Sequence, residues 1–203
     1  MLVVFVFYGC RVAKRRDPQQ ARSRQLVASV IEATVVLLRA APPGEITVAA
    51  IAEQAGCSAA GMFRFFADKD AIFAAVAEQL QVSLRKRYVD ALHDPGAATL
   101  DNAIKVLVDV TASYIRKEPA FRSLRWGAGT PLHEVTRFYR ETNRATADAL
   151  VDRFTELRRN EHRTYLAVEA AGHLIGLAFE NHPKGHAATL QIAIEQARLL
   201  LNQ

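Results

Sequence analysis

Apolar residues recur along the chain at intervals of three and four, the spacing that places them on one face of an α-helix. Leu26, Val27, Val30, Ile31, Leu37 and Leu38 share one face of a predicted helix over 19–39. Ile72, Val76, Leu80 and Leu84 follow at steps of four in a longer one over 69–92. No stretch alternates apolar and polar residues as a half-buried strand does. Prolines stand where helices should start or stop, among them Pro18, Pro42, Pro43, Pro95, Pro119, Pro131 and Pro183. Between them the pattern predicts short helices over 48–55 and 59–65. Longer ones follow over 100–117, 132–158, 162–181 and 185–201, with a shorter one over 119–126. Thr47, Ser58 and Asp68 are placed to cap helix starts, and Gly56 suits the left-handed position that ends one. The expected fold class is all-α.

With 203 residues, half of them hydrophobic and 23% charged, the chain has the composition of a folded protein with a real core. No apolar run approaches the ~18–20 residues needed to cross a bilayer as a helix. Cys10 and Cys57 lie far apart and form neither a disulfide framework nor a CxxC pair, so a reducing, cytoplasmic setting is expected. The net charge of +5 is unevenly placed. Residues 1–69 carry 9 basic and 5 acidic side chains, and residues 70–203 carry 17 and 16. Arg11, Lys14, Arg15, Arg16, Arg22 and Arg24 face only Asp17 in the stretch 11–24. A basic module joined to a nearly neutral one points to a polyanion partner for the first. Met1–Tyr8 is apolar, but its basic residues come after the apolar part, the wrong order for a secretory signal. Residues 1–18 are read as a disordered extension.

The segment from Thr47 to Phe66 reads as two short helices joined by a tight glycine turn, a helix-turn-helix. Ile51, Ala52 and Ala55 offer a small apolar face, and Met62 and Phe66 supply the matching one. Phe63 and Phe65 are also read mainly as core. The opposite side of the second helix is then free to enter a DNA major groove. At Thr47, Ile51-Ala52, Ala55-Gly56, Ser58, Phe63-Arg64-Phe65-Phe66 and Lys69-Asp70 the sequence resembles the tetracycline-repressor (TetR/AcrR-like) family of bacterial transcriptional regulators. The likeness runs from about Arg24 to Leu80, in order and without a gap. Ala60 and Gly61 stand where that family has Gly then Thr or Ser, and Phe63 stands where it has Tyr. Two hydroxyls that could bind phosphate are therefore missing. The resemblance implies DNA contacts from Thr47, Ser58, Ala59, Ala60, Gly61, Phe63, Arg64 and Lys69. Ala59 and Ala60 are suited to thymine methyls.

The resemblance also implies an architecture: a three-helix helix-turn-helix DNA-binding domain over 19–68, then a helical effector-binding and dimerisation domain over 69–203. The partners implied are double-stranded DNA with a palindromic operator, a small hydrophobic effector, and a second copy of the chain. Candidate cavity residues are Val106, Val110, Tyr114, Phe121, Trp126, Phe138, Tyr139 and Phe179, with Arg122, Arg125, Arg137 or Arg140 able to hold an anionic end. Candidate dimer-interface residues are Ala167, Ala170, Gly172, His173, Gly176, Leu177, Ile192, Ala193 and Leu200, where Gly172 and Gly176 would allow close helix approach. His182 and His186 have a spacing seen in metal sites, but no third ligand is evident, and the loop around Pro183 and Gly185 explains them equally well. Cys57 is read as a small buried hydrophobe. No catalytic constellation or cofactor motif stands out, so the reading is a homodimeric, ligand-responsive repressor and not an enzyme, with no cofactor. An activator of the same family, or a membrane-associated helical protein anchored by Met1–Tyr8, are the alternatives.

Overall fold

The computed structural model describes residues 21–202, so the extension 1–18 lies outside the described residues. Among those described, all regular structure is helical. The chain starts with α1 (Ala21–Ala40), α2 (Val48–Gln54), α3 (Ala59–Phe63) and α4 (Lys69–His93). It continues with α5 (Leu100–Lys117), α6 (Pro119–Trp126), α7 (Leu132–Arg153), α8 (Glu161–Glu180) and α9 (Ala187–Leu201). The predicted caps are in place. Thr47 Oγ1 accepts from the Ala50 amide at 3.1 Å, Ser58 Oγ from Gly61 at 3.1 Å and Asp68 Oδ1 from Ala71 at 2.8 Å. Gly56 takes φ +64° between α2 and α3, the left-handed turn that lets the chain reverse so tightly.

Three helices depart from the sequence pattern by two residues or more. The helix expected over 59–65 stops at Phe63, and the Phe65 and Phe66 amides both return to the Met62 carbonyl, at 3.0 and 3.1 Å. This tightened end swings both rings into the core. The helix expected over 132–158 stops at Arg153, where Phe154 turns extended and a 3-10 segment, Thr155–Asn160, follows. The break lets Phe154 and Leu157 both pack into a cluster with Leu92, Ala97 and Leu150. The last helix starts at Ala187, two residues later than the pattern suggested.

The larger of two hydrophobic clusters runs from Val27 in α1 to Ala197 in α9, and the smaller one gathers at the far end of α4 around Leu92. The spine of the larger is α4. All seven residues from Ala71 to Ala77 are buried, as no one-sided amphipathic helix could be. α4 packs on α1 and on α5, α6 and α7, and its residues Ala71–Ala77 share one core with Ile51 of α2 and Met62 of α3. No helix among the described residues is long and apolar enough to cross a membrane.

Candidate nucleic-acid interface and internal cavity

The helix-turn-helix is built on Ile51 and Met62, both fully buried, with Phe66 against them. Packing α3 down by this face leaves Ala60, Phe63 and Arg64 exposed on the other. Phe63 corrects one expectation. It is 44% exposed rather than part of the core. Phe65 and Phe66, which follow the end of α3, take the inward positions instead. An aromatic ring on the outer face, beside an arginine and an alanine, makes a surface that joins apolar area to positive charge. Thr47 and Ser58 are exposed at the starts of α2 and α3, each already accepting its capping bond, with the hydroxyl proton left to donate.

Lys69 also has a structural part. Its ammonium donates to the carbonyl of Ile46 at 2.9 Å and to that of Pro43 at 3.4 Å, and sits 5.5 Å from the centre of the Phe73 ring. It ties the start of α4 to the 3-10 turn Pro43–Glu45 ahead of α2. Lys69→Met is therefore expected to lower the melting temperature as well as any DNA affinity, whereas Arg64→Ala, at an exposed site, should lower affinity alone; thermal melts of the two variants check this. Cys57 is half-buried, and that burial pushes its thiol pKa up, away from the reactive thiolate.

Behind these elements α4–α9 surround a cavity of about 80 Å³. Its wall is mostly aliphatic and aromatic. Of the eight residues expected to line it, it brings together Phe121, Trp126 and Tyr139. Val106, Val110, Tyr114, Phe138 and Phe179 lie elsewhere. Tyr114 donates its hydroxyl to the Leu80 carbonyl at 3.0 Å and faces a surface groove beside Arg39 and Glu118. Phe138 and Phe179 are packed into the core. Of the four candidate arginines, only Arg125 lines the cavity. Sequence reasoning missed the contribution of α4, where Gln81, Leu84 and Tyr88 form one wall. Gln81 sits in register with the apolar positions of that helix, and a polar residue interrupting an inward stripe was the available signal. Tyr88 and Thr111 share a hydrogen bond of 2.7 Å, and burial pushes the Tyr88 hydroxyl up to about 12.

The cavity wall runs directly into the helix-turn-helix. Trp126 is the last residue of α6, and the loop after it lies on the Pro43–Glu45 turn. The Gly44 amide donates to the Ala128 carbonyl at 2.8 Å, and Ser123 Oγ donates to the Ala41 carbonyl at 3.2 Å. At the other end of α6, Glu118 caps the helix by accepting from the Ala120 amide at 3.2 Å. The same carboxylate takes two bonds from the Arg39 guanidinium, at 3.0 and 2.7 Å. Thus α6 is fixed to α1 at its start and to the turn before α2 at its end.

Residues 30–76 match the family model for bacterial regulatory proteins of the tetR family. The chain carries a tetR-family N-terminal domain. Solved structures extend the likeness over nearly the whole length. A TetR-family transcriptional regulator from Streptomyces coelicolor aligns with TM-score 0.69 at 23% identity, covering 89% of this chain and 98% of that one. A TetR transcriptional regulator from Rhodococcus sp. RHA1 aligns with TM-score 0.63 at 15% identity, covering 89% and 97%. The tetR-family regulator fold therefore spans α1–α9, well beyond the matched domain. No curated protein matches the sequence.

α8 and α9 form the most extensively packed helix pair, and their small residues mostly point inward. A Cβ on Gly172 would meet the Asn143 side chain at 3.4 Å, and one on Gly176 the Trp126 ring at 3.1 Å. Both glycines thus give room to the cavity rather than to an outer helix contact. Ala167 and Ala193 are buried within the chain as well, while Ala170 and Leu200 are half-buried. The outward face carries Leu166, His173 and Leu177 on α8, and Ile192 and Leu199 on α9. The four aliphatic side chains among them are 46–54% exposed. His182 and His186 stack at 5.2 Å between ring centres, and no group of three metal-ligating side chains occurs among the described residues.

Proposed function

We propose that the protein is a homodimeric, one-component transcriptional repressor that leaves a palindromic operator when a small hydrophobic effector enters the cavity. Residues 19–68 serve as the DNA-binding domain in this reading, and residues 69–203 as the effector-binding and dimerisation domain. The observation that carries it is the outer face of α3. Ala60, Phe63 and Arg64 stand exposed on a short helix whose other face packs on α1 and α2 and enters the core that α4 completes, and α4 also walls the cavity. A groove-reading helix and a ligand chamber thus share one rigid element. Occupancy of the cavity moves α4 and α6, and with them the two reading heads of a dimer. Release requires that the effector bind the DNA-incompetent arrangement better than the competent one.

Thr47 and Ser58 supply hydroxyl contacts to phosphate in this reading, Arg64 supplies charge, and Ala59, Ala60, Gly61 and Phe63 bring an apolar surface to base edges. Because α3 offers few hydrogen-bonding side chains, sequence is read largely through thymine methyls and groove shape. Fluorescence anisotropy against DNA from the gene's upstream region, over a salt series, tests this. Tight binding to one palindrome should weaken steeply with salt, and Arg64→Ala should reduce the slope by about one. Equal weak binding to operator and random DNA would count against it.

The dimer is proposed to form through the outward face of α8 and α9. Four exposed aliphatic side chains on two adjacent helices make a contiguous apolar surface of the kind that a second copy covers. Leu177→Asp combined with Ile192→Asp should give monomers in analytical ultracentrifugation. Dimers of unchanged stability would remove this face from the interface.

A further inference from the structure

Among the residues lining the cavity, a single one is charged, and it is Arg125. Its guanidinium lies 3.8 Å from the centre of the Tyr139 ring and 5.7 Å from that of Trp126. Across the same space stands Gln81, 1% exposed, with neither its amide nitrogen nor its amide oxygen hydrogen-bonded. Most other polar groups of the wall are engaged. Tyr88 pairs with Thr111, which itself donates to the Leu107 carbonyl at 2.7 Å. Thr142 accepts from Arg85 at 2.9 Å, and Thr146 donates to the Thr142 carbonyl at 2.8 Å. The Tyr139 hydroxyl lies within electrostatic hydrogen-bonding range of both Gln81 and Arg125, but no bond of good geometry reaches either amide atom. A buried amide with both ends unmet is costly unless something else meets it. Here the unmet amide and the unopposed cation open on the same chamber.

We infer that the effector is a hydrophobic monocarboxylate, its carboxylate held between Arg125 of α6 and Gln81 of α4 and its apolar part lying along the aliphatic wall. The inference rests on the reading of this cavity as the effector site. The charge balance selects the head group. A carboxylate offers two acceptor oxygens, one for the guanidinium and one for the Gln81 Nε2–H, while Tyr139 can donate to Gln81 Oε1. A cation would face an unopposed guanidinium. A dianionic phosphate would bury one negative charge more than the wall can match. A neutral molecule of the same shape leaves the guanidinium unpaired. The arrangement also places the head group where it matters, because Gln81 and Arg125 sit on the two helices that reach the helix-turn-helix.

The test uses the full chain, with Trp126 as reporter, since it is the only tryptophan and lines the cavity. Dodecanoate and 3-phenylpropanoate are titrated by intrinsic fluorescence, each beside its methyl ester. At least one acid should bind about tenfold or more tightly than its ester. Arg125→Met should weaken that acid by about 10–100-fold and leave the ester unchanged, with Arg125→Lys in between. Gln81→Leu should weaken the acid without lowering the melting temperature of the free protein, because it removes an unmet buried amide. Esters binding as tightly as acids, an acid indifferent to Arg125→Met and Arg125→Lys, or no response to either acid would overturn the proposal. Operator binding by the unliganded protein is measured on the same samples. Its failure alongside intact acid binding would remove the repressor and leave the carboxylate site standing.

Discussion

Gly129→Ala is expected to lower the melting temperature by about 5–10 °C. Gly129 holds φ +79°, a conformation that costs a residue with a side chain ~1–2 kcal/mol. A Cβ there would also stand 2.5 Å from the Gly44 Cα and 2.7 Å from its nitrogen. Both are backbone atoms, so no rotamer change relieves the clash. Strain and clash together amount to roughly 2–3 kcal/mol, and each kcal/mol moves the midpoint of a chain this long by about 2–4 °C. Gly56→Ala separates the two causes. It has φ +64° with nothing within 4 Å of the added carbon, so it should lose only the conformational part, about 2–8 °C and less than Gly129→Ala. Differential scanning calorimetry of both variants decides. Equal losses would mean that the loop after α6 does not rest on the Pro43–Glu45 turn. Under the proposed function, the Gly129→Ala protein should still bind DNA but answer its effector weakly, because the path from Trp126 to that turn is cut.

Ala60→Glu is expected to remove specific DNA binding, by about 100-fold or more, with the fold intact. Ala60 is exposed in the first turn of α3. A carboxylate there stands on an exposed surface, and near a helix start it is tolerated or mildly stabilising. Brought into the groove it meets phosphates, and like-charge juxtaposition across an interface costs several kcal/mol. An anisotropy titration and a thermal melt of the same sample settle the matter. Ala60→Glu binding with undiminished affinity would place α3 outside the groove. Ala60→Lys is the control, expected to strengthen binding to any DNA and narrow the preference for the operator.

The fold was largely legible because its signals are local. Caps at Thr47, Ser58 and Asp68, the glycine turn at Gly56, and apolar steps of three and four placed the helices to within a few residues. The errors arose where a tertiary contact outweighed helical periodicity. Residues after Arg153 follow a helical pattern, yet burying both Phe154 and Leu157 against Leu92 and Ala97 required a break. The cavity was harder to read. Aromatic residues are apolar whether they face a chamber or a packed core, so Phe138 and Phe179 could not be told apart from Phe121 by spacing. What distinguishes the chamber is a polar side chain on an inward stripe, as at Gln81, and a glycine whose missing Cβ leaves room, as at Gly176. The latter reads in sequence as an invitation to helix packing, and only its closeness to Trp126 shows that the space belongs inside.

The unbroken core along α4 has a thermodynamic consequence. A protein divided into a reading head and a separate chamber would melt in two steps, and the head could be cut away as a working fragment. Here the residues from Ala71 to Ala77 complete the core of the N-terminal helices from inside a helix that also walls the chamber. The head alone, ending at residue 68, would lose that packing and lie near or below the stability that a fragment so small can reach. Melting of the whole chain should then be a single cooperative transition. Any molecule that binds in the chamber adds its stabilisation to the head as well, through mass action on the native state alone.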